Sequence, residues 1–126
     1  MRVFDASALL AVLFSEKGGD RAAAMLEEGD AVVSAVNQGE VAARLMDRGL
    51  GRDETDVAWR SLRIEVLPFS AEQALASGLL RPPTRALGLS LGDRCCLAVA
   101  QSLNAEVVTA DRPWKALKGF RFIFIR

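Results

Sequence analysis

Four carboxylates of this chain stand where a predicted strand ends or a predicted helix begins. They are Asp5, Glu40, Asp93 and Asp111. In a parallel α/β sheet, the carboxyl ends of the strands and the amino ends of the helices that follow them face one edge, where such folds bind ligands. Three of the acids are expected at that edge. Asp93 is the exception, because it opens the helix before the fourth strand and its position depends on the segment 81–89.

Carboxylates that meet at one edge repel each other, and some of their pKa values rise. A hard divalent cation with oxygen ligands, Mg²⁺ or Mn²⁺, relieves that repulsion. An acid cluster of this kind is suited to metal-assisted hydrolysis of a phosphodiester. The chain has no His and no Tyr, which excludes imidazole bases and phenolic nucleophiles and leaves zinc short of ligands.

Each acid also has a purely structural explanation. Asp5 could cap the helix after it, and Asp111 could cap a turn at 113–114. The pairs Asn37–Glu40 and Ser90–Asp93 have the spacing of capping boxes, in which a helix-capping side chain and an acid three residues later bond each other's backbone. For each acid taken alone, the structural explanation and the metal-binding explanation both stay open.

Apolar strand-like segments and helical segments alternate along the chain. The predicted strands are Arg2–Phe4, Ala31–Val33, Ile64–Leu67, Glu106–Thr109 and Phe120–Ile125, and the predicted helices are Ala8–Phe14, Arg21–Glu28, Ser34–Arg48, Asp53–Arg63, Ser70–Leu80 and Ser90–Leu103. Arg81–Leu89, which contains two prolines, is predicted as a loop. The alternation predicts one α/β domain over residues 1–126, a parallel sheet with helices on both faces.

The composition limits the function classes. Sixteen basic and sixteen acidic residues give no net charge, so any nucleic-acid binding has to be local. The adjacent Cys95 and Cys96 lie in an apolar helical segment and are read as buried small residues, not as a disulfide framework. No signal peptide or membrane span is recognised. We therefore expect a cytoplasmic protein with no membrane partner.

Four segments carry a family resemblance: VFDASALLAVL with Asp5, SAVNQGEV with Glu40, GLSLGDRCCLAVA with Asp93, and VVTADRPW with Asp111. In order and spacing the sequence resembles the PIN-domain ribonucleases, and among them the VapC-like toxins of toxin–antitoxin pairs. The resemblance implies a five-stranded parallel sheet in the order 3-2-1-4-5. It also implies a Mg²⁺- or Mn²⁺-dependent endoribonuclease that forms a homodimer and is held inactive by a cognate antitoxin.

The resemblance also implies roles for individual residues. The four acids correspond to the metal-binding, catalytic set, and Ser7 and Thr109 match hydroxyl positions beside it. As a hypothesis for the mechanism, we expect Asp5 and Asp93 to be direct ligands. Glu40 is expected to bind metal or to orient the attacking water, and Asp111 to be a ligand or a supporting residue. The hydroxyls of Ser7 and Thr109 are expected to hydrogen-bond the carboxylates or a metal-bound water, the alternative being ordinary turn hydroxyls.

Two further features concern partners. Arg85, Arg94 and Arg112 flank the acids in sequence, and one or more of them is predicted to contact RNA phosphates. The alternative is that they are solvated surface arginines. The first helix is apolar on more than one face, so it is either fully buried or partly a docking surface for an antitoxin segment.

The same residues leave one alternative function open, which is a PIN-like module that binds metal or a partner without turnover. A receiver-type phosphoacceptor domain would need paired acids after the first strand, where Asp5 is followed by Ala6. A phosphatase of the haloacid-dehalogenase type would need an acid at the position of Ser7.

Overall fold

Five parallel strands form the centre of the computed structural model, which describes residues 1–126. They are β1 (Arg2–Phe4), β2 (Ala31–Ser34), β3 (Glu65–Leu67), β4 (Glu106–Thr109) and β5 (Phe122–Phe124), and their order across the sheet is β3-β2-β1-β4-β5. β1 is central, with Val3 opposite Val32 on one side and Val107 on the other. The sheet class and the strand order implied by the resemblance are confirmed.

The strands are short, and the three central ones are buried on both faces. Successive side chains of a strand point to opposite faces, so each strand supplies residues to two cores. Val3, Val32 and Val107 pack in one hydrophobic core, and Phe4, Val33 and Val108 in the other. The cores therefore lie on opposite sides of one sheet, as the prediction of helices on both faces requires.

Seven α-helices cover the sheet. They are α1 (Ala6–Leu13), α2 (Gly19–Glu27), α3 (Ala35–Asp47), α4 (Arg52–Ser61), α5 (Ala71–Leu79), α6 (Arg81–Thr84) and α7 (Leu91–Leu103). The core of α1, α2 and α3 includes Leu9, Met25 and Leu45, and that of α7 includes Leu97 and Val99. None of the helices has the length and apolarity that crossing a membrane requires.

The prediction of a loop over Arg81–Leu89 is wrong in part. Residues Arg81–Thr84 form α6, and a 3₁₀ turn follows at Arg85–Leu87. Pro82 and Pro83 are compatible with this helix because they stand in its first turn, where a backbone N–H has no intrahelical acceptor. The compact segment ends at Gly88, whose left-handed φ of 66° turns the chain toward the amino end of α7.

Candidate active site

Asp5 is a buried carboxylate at the carboxyl end of the central strand β1. The residue is 2% exposed. Its Oδ1 accepts the backbone N–H of Ala8 at 2.9 Å, so Asp5 does cap α1. The cap uses only part of the carboxylate, and both oxygens also accept the hydroxyl of Ser7, at 2.7 and 2.9 Å.

Ser7 and Thr109 connect this carboxylate to the neighbouring strand β4. The Thr109 hydroxyl donates to Asp5 Oδ2 at 2.6 Å and accepts the backbone N–H of Asp111 at 3.1 Å. The Ser7 hydroxyl accepts the backbone N–H of Ala110 at 2.9 Å. The two hydroxyls therefore fix both the orientation of Asp5 and the chain that carries Asp111.

Glu40 is held by a contact between α3 and α7. Ser34, not Asn37, caps α3, so the predicted Asn37–Glu40 capping box is wrong. Asn37 instead lies inside the helix, almost fully buried, and its Nδ2 donates to Glu40 Oε1 at 2.5 Å and to the Gly92 carbonyl at 3.1 Å. A Cβ on Gly92 would lie 2.1 Å from Glu40 Oε1, so only glycine leaves room for the carboxylate there.

Asp93 and Asp111 complete the set. The predicted capping box at α7 is present, with Asp93 Oδ2 accepting the Ser90 N–H at 2.9 Å, which leaves Oδ1 available. Asp111 precedes the 3₁₀ turn Arg112–Ala116, but its carboxylate makes no capping hydrogen bond. The capping explanation therefore accounts for one oxygen of Asp93 and for none of Asp111.

Electrostatic coupling connects all four acids. Burial is the main cause that raises the pKa of Asp5, to about 7, and repulsion from Asp111 adds to it. Partial burial, followed by repulsion from Asp93, raises the pKa values of Glu40 and of Asp111. Asp93, whose position the sequence could not fix, therefore lies close enough to both to affect their ionisation.

The donor set fits a hard divalent cation, since it consists of carboxylate and hydroxyl oxygens and lacks imidazole. No three of the acidic or thiol side chains surround a single point in the structure. That arrangement is compatible with Mg²⁺, which is usually bound through one or two carboxylates together with water and substrate phosphate. Cys95 and Cys96 are buried and unpaired, as expected from the sequence.

The predicted RNA-contacting arginines lie in different surroundings. Arg94 points toward α5, where its Nη1 donates to the Ser77 carbonyl at 3.1 Å. Arg112 donates to the Arg126 carbonyl at 3.2 Å, and Arg85 is exposed on the 3₁₀ turn. None of the three lines the cavity that contains Glu40 and Asp93.

Sequence reasoning missed a different arginine, Arg44. The cavity at the acid edge has a volume of about 470 Å³ and is lined by Ala6, Ser7, Leu10, Glu40, Ala43, Arg44, Ser90 and Asp93. Arg44 lies four residues after Glu40 on α3, and that helical spacing places both on one face. The spacing was the signal available in the sequence.

Stability should depend on pH through Asp5. In the folded protein its pKa is about 7, against an ordinary value of 3.8. Between these values the unfolded chain loses a proton that the folded chain keeps, so the free energy of unfolding falls as pH rises from about 4 to about 7. Asp5→Asn has no titrating carboxylate at this position and does not lose stability in this way. With chelator present, the free energy of unfolding of Asp5→Asn minus that of wild type should therefore increase between pH 4 and pH 7, by on the order of 4 kcal/mol.

Urea unfolding at a series of pH values measures the difference. Asp47→Asn, at the exposed C-terminal end of α3, controls for the removal of a carboxylate as such. A stability difference between Asp5→Asn and wild type that stays constant from pH 4 to pH 8 would contradict the assignment of a raised pKa to Asp5.

Solved structures of other proteins share the fold of this chain. The fold resembles a toxin–antitoxin complex chain from Klebsiella pneumoniae (TM-score 0.73, 22% identity, covering 100% of this chain and 98% of the other). It also resembles VapBC2 from Rickettsia felis, solved with a promoter DNA fragment (TM-score 0.76, 16% identity, 98% and 97%). A third similar structure is VapC20 from Mycobacterium tuberculosis, described as a toxin that cleaves the sarcin–ricin loop (TM-score 0.69, 21% identity, 95% and 96%).

At these identities the structural matches establish the fold alone. No curated protein matches the sequence significantly. A family model, that of the PIN domain, matches residues 2–119, which is nearly the whole chain. The five-stranded α/β protein with its four coupled acids therefore belongs to the PIN domain family.

Proposed function

We propose that this protein is a Mg²⁺- or Mn²⁺-dependent endoribonuclease and that residues 1–126 act as one PIN domain. The observation that carries the proposal is the connection of four carboxylates at one sheet edge, with Asp5 buried and three of the four pKa values raised. Such a set is unfavourable without a cation, because the desolvated charges repel each other. The similar structure of a toxin described as cleaving the sarcin–ricin loop supports the same activity.

Asp5 and Asp93 are the proposed principal ligands, with Glu40 and Asp111 as ligands or as groups that orient water. When bound, the cation supplies water activation and neutralises the charge that develops on the leaving oxygen. Ser7 and Thr109 hold the Asp5 carboxylate in place, and Asn37 holds Glu40. Because the chain has no His to act on a ribose 2′-hydroxyl, the expected products carry 5′-phosphate and 3′-hydroxyl ends.

Cleavage of a mixed RNA pool by the purified protein tests the activity. Mg²⁺ or Mn²⁺ should support cleavage, and chelator should abolish it. Asp5→Asn preserves shape but removes the charge. It should reduce the rate more than a hundredfold, because loss of a residue that merely supports a ligand already costs ten- to a hundredfold.

Two results would contradict the nuclease mechanism. Products with cyclic 2′,3′-phosphate ends would exclude hydrolysis by an activated water. Tight binding of Mn²⁺, lost in Asp5→Asn, without cleavage of any RNA in the pool would favour a binding module without turnover.

The Gly92 contact gives a second test with a matched control. Gly92→Ala should displace the Glu40 carboxylate and reduce metal-dependent cleavage about ten- to a hundredfold. Its stability cost should be small, about 1 kcal/mol, because the end of a flexible side chain can move. Gly39→Ala, on the open face of α3, should leave cleavage unchanged and stabilise the helix by about 0.5–1 kcal/mol. Equal activity of the two variants would exclude a role for Glu40 at this position.

We further propose that the nuclease is a VapC-like toxin of the cytoplasm that is neutralised by a cognate antitoxin protein and forms a homodimer. The solved relatives include chains from toxin–antitoxin complexes. A cavity of about 710 Å³ contains none of the four acids. It is lined by four apolar residues, Val12, Ala23, Leu26 and Leu62, together with Glu27, Ser61 and Arg63. Such a groove, part apolar and part polar, suits an amphipathic peptide segment. The proposed homodimer rests on a different surface. Leu75 and Leu79 on α5 are exposed and lie one helical turn apart, which offers apolar contact area to a second copy of the chain.

Toxicity is testable in cells. Induced expression in a bacterial host should arrest growth, because unneutralised RNA cleavage stops protein synthesis. Asp5→Asn at the same protein level should not arrest growth. Normal growth with a protein that cleaves RNA in vitro would separate the nuclease from the toxin proposal.

A further inference from the structure

A second cavity extends the acid edge along α3. It has a volume of about 200 Å³ and shares the wall residues Ser7, Leu10 and Arg44 with the cavity that contains Glu40 and Asp93. Its remaining lining includes Phe14, Arg48 and Arg126. The two cavities therefore form one groove, acidic at one end and rich in arginine at the other.

The positive charge of the second cavity is only partly neutralised. Its one carboxylate, Glu16, lies 3.7 Å from Arg126 Nη1, and the same nitrogen donates to the Lys17 carbonyl at 3.1 Å. Arg44 and Arg48 are exposed and belong to none of the ion pairs of the chain. Their donors are available to an anion.

The side chain of Arg48 is preorganised for binding an anion. Its guanidinium carbon lies 4.1 Å from the centre of the Phe14 ring, a cation–π contact that restricts the side chain without using its N–H groups. A guanidinium held in this way offers bidentate hydrogen bonding to phosphate at a reduced entropic cost.

The spacing of the two arginines suits a polyanion. Arg44 lies in the last turn of α3, and Arg48 is the residue that caps the end of that helix. The two are therefore about one turn apart, or about 6 Å along the helix axis. That separation is comparable to the distance between consecutive phosphates of an extended single strand. Glu40 lies one further turn toward the acids, so a strand that follows α3 leads directly to the candidate metal site.

We propose that Arg44 and Arg48, supported by Arg126, bind two successive phosphates of single-stranded RNA on one side of the scissile bond. This inference rests on the proposed ribonuclease function. It names other residues as the main phosphate contacts than Arg85, Arg94 and Arg112, because none of these three lines the groove.

The test measures RNA binding separately from cleavage. A fluorescently labelled single-stranded oligonucleotide is titrated by anisotropy against protein carrying Asp5→Asn, at several salt concentrations. Arg44→Gln or Arg48→Gln should each raise the Kd about tenfold or more, since each removes a charge-assisted contact. The slope of log Kd against log salt should fall by about 0.7 per arginine, hence by about 1.4 in the double variant.

Arg52→Gln, which removes an exposed arginine at the start of α4 outside the groove, is the matched control and should leave both Kd and slope unchanged. Arg85→Gln, on the 3₁₀ turn, tests the other hypothesis, that RNA is bound by the arginines that lie near the acids in sequence. An unchanged Kd and salt slope in the Arg44→Gln/Arg48→Gln double variant would overturn the proposal.

Two more outcomes distinguish failure of this proposal from failure of the ribonuclease proposal. In protein with Asp5 intact, the arginine variants should raise KM for RNA and change kcat little. If the ribonuclease proposal is wrong, the protein binds RNA but does not cleave it. Oligo-glutamate that binds as tightly as RNA and loses affinity in the same double variant would assign the groove to an acidic peptide instead, which overturns the assignment to RNA.

Discussion

The burial of the Asp5 carboxylate is the constraint around which this structure is arranged. A carboxylate that is 2% exposed requires several hydrogen-bond donors, and Asp5 receives them from Ala8, Ser7 and Thr109. These donors come from the first turns of α1 and the end of β4, so satisfying one side chain fixes the junction between two adjacent parallel strands. Even so, burial outweighs the hydrogen bonds and leaves the pKa near 7. The site therefore reduces stability at neutral pH, and a ligand that prefers the ionised form recovers it by mass action.

Three of the four acids, Asp5, Glu40 and Asp111, could be placed from the sequence because their positions follow from topology. A strand of three or four apolar residues that ends in an acid can be recognised locally, and parallel alternation brings such ends to one edge. Ser90–Asp93 shows that a capping motif and a functional position coexist, since the cap engages one oxygen of two. A helix cap at an acid is therefore compatible with a functional role for the same residue.

The parts that could not be predicted depend on contacts between elements distant in sequence. The predicted helix Ser34–Arg48 already contains Asn37, but the hydrogen bond from Asn37 to the Gly92 carbonyl joins α3 to α7, and no local pattern indicates it. The prediction for Arg94 rests on its place next to Asp93 in sequence and does not take the direction of the side chain into account. Adjacent helical residues diverge by about 100°, so the neighbour of Asp93 points toward Ser77, whereas Arg44 and Glu40, four residues apart, share a face. Arg126 reaches the groove from beyond β5, which no local pattern predicts.

The position of α1 connects the proposed chemistry with the proposed partner. Ser7 in its first turn lines the acid cavity, and Val12 in its last turn lines the cavity of about 710 Å³. A helix of eight residues is about 12 Å long, which an extended chain spans with about four residues. A partner segment docked in the larger cavity therefore needs only a short extension along α1 to reach the carboxylates. Both surfaces belong to one helix, and the first turn of that helix holds Asp5 through the backbone N–H of Ala8 and the Ser7 hydroxyl.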